Sequence, residues 1–85
     1  MAAMISIRLK LFAAYQDALG RPDVMMTLPE GTTVDQLCDR ICTQYPDLKQ
    51  WQDLTRCGVN LQFVDANTPL SDGDEVVFIP PGSGG

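Results

Sequence analysis

Residues 71–81 read SDGDEVVFIPP, and the run Glu75-Val76-Val77-Phe78-Ile79 inside them decides the fold. Alternate residues of an extended chain face opposite ways. Val76 and Phe78 therefore share one side, and Val77 and Ile79 share the other. Both sides are apolar, so the strand is either covered on both faces or keeps one face for a partner. Asp72-Gly73 supplies a tight turn before it. Pro80-Pro81 stops it, because proline has no N–H to extend a ladder.

Earlier in the chain, residues 4–12 (MISIRLKLF) alternate in the same way. Ile5, Ile7, Leu9 and Leu11 point one way, and Ser6, Arg8, Lys10 and Phe12 the other, as in a half-buried strand. Phe12 falls on the polar side. It either begins to cover a neighbouring segment or is an exposed aromatic at an interface. Residues 13–20 (AAYQDALG) predict a short helix that Gly20 terminates. Arg21-Pro22 makes a turn, and residues 23–28 (DVMMTL) predict a second strand paired with the first, with Val24, Met26 and Leu28 on one face.

Residues 32–46 (TTVDQLCDRICTQYP) carry the main helix. Thr33 and Gln36 fit a capping box, Val34, Leu37, Cys38, Ile41 and Tyr45 form one apolar stripe, and Pro46 ends it. Leu48, Trp51 and Leu54 recur every three residues, which fits a helical turn or a loop pinned by Trp51; the loop is the expectation. Residues 57–64 (CGVNLQFV) read as strand, with a turn near Asn60-Leu61-Gln62. The order strand, strand, helix, strands gives an α+β layout.

With 85 residues, 45% of them hydrophobic, the chain makes one small globular domain. Residues 1–79 are expected to form it and residues 80–85 an extended tail. The net charge is −5, and after Arg56 there are four acidic residues and no Lys or Arg. On that charge no nucleic-acid partner is expected, and a basic protein surface is favoured. No apolar run approaches the roughly 20 residues that span a bilayer. The start shows no secretory pattern either, so no membrane partner and a cytoplasmic location are expected. Cys38, Cys42 and Cys57 are an odd count with no histidine beside them. They read as buried or half-buried free thiols, and no metal site is expected.

The tail, Pro80-Pro81-Gly82-Ser83-Gly84-Gly85, has no bulky side chain after the prolines. Extended, it reaches roughly 20 Å at ~3.3–3.6 Å per residue. Glycine has no Cβ, so a Gly-Gly end threads where other residues clash. A carboxylate is a poor acyl donor until it is activated, for instance as an anhydride with AMP. No phosphate-cradling glycine loop is present to bind ATP, so a partner would supply that step. The dull alternatives are a frayed terminus and a flexible linker.

Residues 68–85 (TPLSDGDEVVFIPPGSGG) resemble the C-terminal signature of the MoaD/ThiS family of sulfur carriers. Thr68, Pro69, Leu70, Asp72, Gly73, Asp74, Glu75, Val76, Phe78, Ile79, Pro80, Pro81, Ser83, Gly84 and Gly85 all fit. LKLFAAYQDALG (9–20), LPEGTTVDQLC (28–38) and Val59-Asn60 extend the likeness over nearly the whole chain. Gly82 where valine is usual, Gln16 where arginine is frequent, and Leu61-Gln62 in place of a glycine-containing turn depart from it.

The resemblance implies a β-grasp, ubiquitin-like fold with a small mixed sheet, its last strand in the middle. It also implies a mechanism with no bound cofactor. An ATP-using adenylating enzyme related to ubiquitin-activating enzymes would activate the Gly85 carboxylate, next to Gly84. A sulfur donor protein would convert it to a thiocarboxylate. The large subunit of molybdopterin synthase would then receive the tail and pass the sulfur to a pterin substrate. By position, Phe12, Phe63 and Ile79 match residues that face partners, and Pro80, Pro81, Gly82 and Ser83 belong to the inserted segment. Rival readings are a carrier for thiamin, tRNA thiolation or an amino acid, a protein modifier that links Gly85 to lysines, and an interaction module with an inert tail.

Overall fold

The computed structural model describes residues 3–81. Five strands form one mixed sheet in the order β2-β1-β5-β3-β4. They are β1 (Met4–Leu11), β2 (Asp23–Pro29), β3 (Arg56–Val59), β4 (Gln62–Phe63) and β5 (Glu75–Ile79). The run that opened the sequence reading is the central strand. It lies parallel to β1, with Leu11 beside Phe78, and antiparallel to β3, with Cys57 beside Phe78. Parallel pairing cannot be closed by a tight turn and needs a long crossover; the intervening chain supplies it.

The first part of that crossover is helical. The helix α1 (Ala13–Leu19) interrupts the β1–β2 hairpin and ends at Gly20, whose φ of 75° is the left-handed conformation glycine adopts freely. The main helix α2 (Val34–Gln44) begins with the expected capping box: Thr33 Oγ1 accepts from the Gln36 N–H at 3.2 Å, and Gln36 Oε1 accepts from the Thr33 N–H at 2.9 Å. Its buried residues are Val34, Leu37, Cys38, Ile41 and Cys42. They pack on the sheet side made by Ile5, Ile7, Leu9, Leu11, Leu28, Val76 and Phe78. Tyr15 joins this core, its ring centroid 5.5 Å from that of Phe78.

The segment after α2 corrects one expectation. It is helical, with a 3₁₀ turn at Pro46–Leu48 leading into a one-turn helix, α3 (Lys49–Gln52). Proline's fixed φ suits a first helical position. Local bonds then continue the turn: the Leu48 N–H donates to the Tyr45 carbonyl at 2.9 Å, and that of Leu54 to the Trp51 carbonyl at 3.0 Å. Leu48 is buried, but Leu54 is 60% exposed and anchors nothing. Thr55 fastens the far end, its hydroxyl donating to the Trp51 carbonyl at 2.7 Å. That donation uses the Thr55 proton, so the Tyr15 hydroxyl, 2.7 Å away, is the donor to Thr55 Oγ1.

The acidic end of the chain is occupied structurally. Asp72 accepts from the Ser6 N–H at 2.7 Å and Asp74 from the Ser71 N–H at 2.8 Å and the Asn60 amide at 2.9 Å. Glu75 pairs with Lys10 at 3.1 Å. These carboxylates hold loops and strand ends as well as contributing negative charge. No helix of the described residues is long and apolar enough to cross a membrane.

Candidate functional site

Among the described residues the helices all lie on one side of the sheet, so the side chains that alternate outward from β1, β5, β3 and β4 lie on a face that none of these residues covers. The register sets their neighbours. Lys10, Val77, Gly58 and Phe63 stand in one row across the strands, and Ile79 and Arg56 stand side by side in the next. Phe12 and Ile79 each follow directly on the last pair of the β1–β5 ladder, Leu11 beside Phe78, and alternation turns both toward this side. The three residues singled out for partner contact, Phe12, Phe63 and Ile79, therefore share this face. Phe12 is 44% exposed and Phe63 65% exposed, large values for aromatic side chains. The two apolar sides of β5 differ in burial: Val76 and Phe78 are wholly buried, while Val77 and Ile79 are half-buried on the opposite side.

Four further residues of this face were not among the expected contact residues, and two of them, Arg56 and Gly58, escaped the sequence reading altogether. Gly58 lacks a side chain and leaves a hollow of about 250 Å³, walled by Leu61, Gln62, Phe63, Val77 and Ile79. Arg56 lays its guanidinium 5.1 Å from the Phe63 ring centroid, a cation–π distance. Val77 was visible as an outward apolar residue of β5. Arg56 and Gly58 carried no signal, because only strand pairing brings them next to Phe63 and Ile79. Leu61 sits at the tip of the β3–β4 hairpin and is 92% exposed.

At the end of β5, Pro80 is buried and Pro81 is exposed. The chain thus leaves the sheet at its middle strand, beside the uncovered apolar face. Gly82, Ser83, Gly84 and Gly85 lie outside the described residues.

The thiols are free: Cys38 and Cys42 are buried and Cys57 is half-buried. Tyr15 Oη lies 3.7 Å from Cys38 Sγ and 3.8 Å from Cys42 Sγ. Burial pushes Cys57 up to about 11, with a smaller push from the Asp35 carboxylate, and pushes Cys38 up to about 12. Thiols held this high are protonated at neutral pH and are poor nucleophiles, since the thiolate is the reactive form. They also make the fold sensitive to alkali. In the unfolded chain Cys38 and Cys57 lose their protons near pH 9, whereas in the folded chain Cys57 keeps its proton to about 11 and Cys38 to about 12. The unfolded state therefore binds fewer protons in that window, and stability falls as pH rises through it. Urea midpoints are expected to hold steady up to about pH 8.5 and to drop between about pH 9 and 11. The drop should be shallower in Cys57→Ala, and an equal slope in that variant would assign the loss to other groups.

Comparison with known proteins gives the following. The model of the ThiS family matches residues 9–85. A protein of Mycobacterium tuberculosis named molybdopterin synthase sulfur carrier subunit is 34% identical over 83 residues, covering 96% of this chain and 100% of that protein. The structure of a putative molybdopterin converting factor subunit 1 from Pyrococcus furiosus superposes with a TM-score of 0.77 at 26% identity, covering 91% of this chain and 98% of that one. A complex of subunits 1 and 2 of the molybdopterin-converting factor from Helicobacter pylori contains a chain of the same fold. That chain has a TM-score of 0.63 at 23% identity, with 95% and 100% coverage.

Proposed function

The chain belongs to the ThiS family, and from that premise we propose that it is the sulfur carrier subunit of a molybdopterin synthase, with the Gly85 carboxyl group as the atom carrier. The observation that carries this reading is the reach of the family match, which runs through Gly84 and Gly85. The full-length match to the mycobacterial carrier subunit supports it.

The chemistry follows from what a carboxylate can do. A Gly85 oxygen attacks the α-phosphorus of ATP on an adenylating partner, expelling pyrophosphate and leaving an acyl adenylate. Sulfur at the hydrosulfide level, delivered by a donor protein, then displaces AMP and leaves a thiocarboxylate. The charged tail enters the large synthase subunit, where the thiocarboxylate sulfur becomes nucleophile toward the pterin precursor. This chain contributes the reacting group and its placement. Catalysis at this stage is positioning of one reactant against another, and glycine at the end removes the side chains that would block a narrow channel. The uncovered sheet face beside the root of the tail supplies the docking surface. The Helicobacter pylori complex of two subunits supports a large-subunit partner of this kind.

Intact mass spectrometry tests the proposal. After incubation with an adenylating enzyme of this family, ATP and a sulfur donor, the chain is expected to gain the mass difference between sulfur and oxygen. No gain, with the enzyme active on a control carrier, would overturn it.

A further inference from the structure

The β3–β4 hairpin carries an unusual tip. Val59 pairs with Gln62, so Asn60 and Leu61 form a two-residue loop. Both have positive φ, 52° and 72°. Two-residue hairpin loops with both residues left-handed match the right-handed twist of the strands, and Asn-Gly is the dipeptide that fits them best. Asn60 suits its position. It also ties the tip down, its side-chain oxygen accepting from the Glu75 N–H at 3.0 Å. Leu61 does not suit its position: a left-handed γ-branched residue is strained where glycine would not be. Nor does packing compensate inside the domain, since the side chain is 92% exposed. A leucine that is strained and exposed at once gives the folded chain nothing in its own structure.

Its surroundings say what it is for. Leu61 is one wall of the hollow over Gly58, beside Phe63, Val77 and Ile79. A Cβ at Gly58 would stand in that hollow, 3.4 Å from the Gln62 carbonyl and 4.0 Å from Val77 Cβ. The hollow opens on the same face as Phe12 and the root of the tail. Arg56, paired with Ile79 across the strands, adds a positive charge over Phe63.

We propose that Leu61 and the Gly58 hollow form the specificity-determining part of the docking face. The hollow receives one bulky apolar side chain from the large synthase subunit, next to a carboxylate that meets Arg56, while Leu61 enters an apolar recess of that subunit. The inference rests on the carrier reading above and adds the residues that select the partner. A hollow of this volume suits a single large side chain, and a left-handed leucine left exposed beside it is the pattern of a functional site.

The test is Leu61→Gly, measured in the full chain with the cognate large subunit. The variant creates the favoured Asn-Gly turn, so its thermal midpoint is expected to stay level or rise. Its Kd for the large subunit is expected to weaken by at least about tenfold, as for an apolar anchor at an interface. Leu61→Met, which keeps the apolar reach, should recover most of the affinity, and Gly58→Ala should lose affinity without unfolding. Equal binding by wild type and Leu61→Gly overturns the inference and leaves the carrier reading intact. Failure of the wild type itself to bind any large subunit removes both.

Discussion

Deleting Gly84 and Gly85 is expected to reduce sulfur transfer to background while leaving the thermal midpoint where it was. The two halves of that result have separate causes. The buried core of the described residues runs from Ile5 to Phe78, and the last strand ends at Ile79, so the deletion leaves every core residue in place in the sequence. Reach does depend on it. The new carboxylate, on Ser83, stands roughly 7 Å short of the old one at ~3.3–3.6 Å per residue. A misplacement of about 1 Å already costs on the order of a hundredfold in a positioned reaction. Ser83 also brings a side chain to a place where glycine had none. A sulfur-transfer assay beside a melting curve reads both halves. Retained function in the deleted chain would mark the domain as an interaction module with an inert tail. Lysine-linked adducts that need Gly85 would mark a modifier instead.

The parts of this fold that were legible in the sequence are those in which one segment carries its own evidence. β1 announces itself through Ile5, Ile7, Leu9 and Leu11, and α2 through Thr33, Gln36 and its apolar stripe. The two apolar sides of β5 posed the right question about Val77 and Ile79. Segment 46–54 misled because its three-residue spacing is shared by helical turns and pinned loops; the deciding facts were hydrogen bonds to the carbonyls of Tyr45 and Trp51. The face proposed for docking was legible only in pieces. Phe12, Phe63 and Ile79 came from resemblance, and strand register then joined them on one surface. Gly58 and Arg56 were invisible because their importance is wholly a matter of neighbours on other strands. Leu61 left a trace in the sequence, a leucine where a turn glycine is common, but the strain that gives it meaning is a backbone angle.

The alternation along β5 yields the sharpest contrast between stability and function. Phe78→Ala is expected to lower stability by about 3–5 kcal/mol, the range for removing a buried aromatic. Phe78 is wholly buried between Leu11 and Cys57 on the neighbouring strands, against the ring of Tyr15. Folded domains of this kind hold only about 5–15 kcal/mol in all. The thermal midpoint should therefore fall by roughly 12 °C or more, since each kcal/mol moves a domain of this size by about 4–8 °C. Ile79, the very next residue, is half-buried on the opposite side of the strand. Ile79→Ala should lose about 1–2 kcal/mol of burial, melt well above Phe78→Ala, and bind the large subunit more weakly. Differential scanning calorimetry and a binding titration on the two variants read the pair. If Ile79→Ala melts as early as Phe78→Ala, the uncovered face is part of the fold's own packing and the docking surface must lie elsewhere. If it melts well above Phe78→Ala and binds weakly, adjacent residues of one strand serve opposite ends: the inward one holds the domain together and the outward one meets the partner.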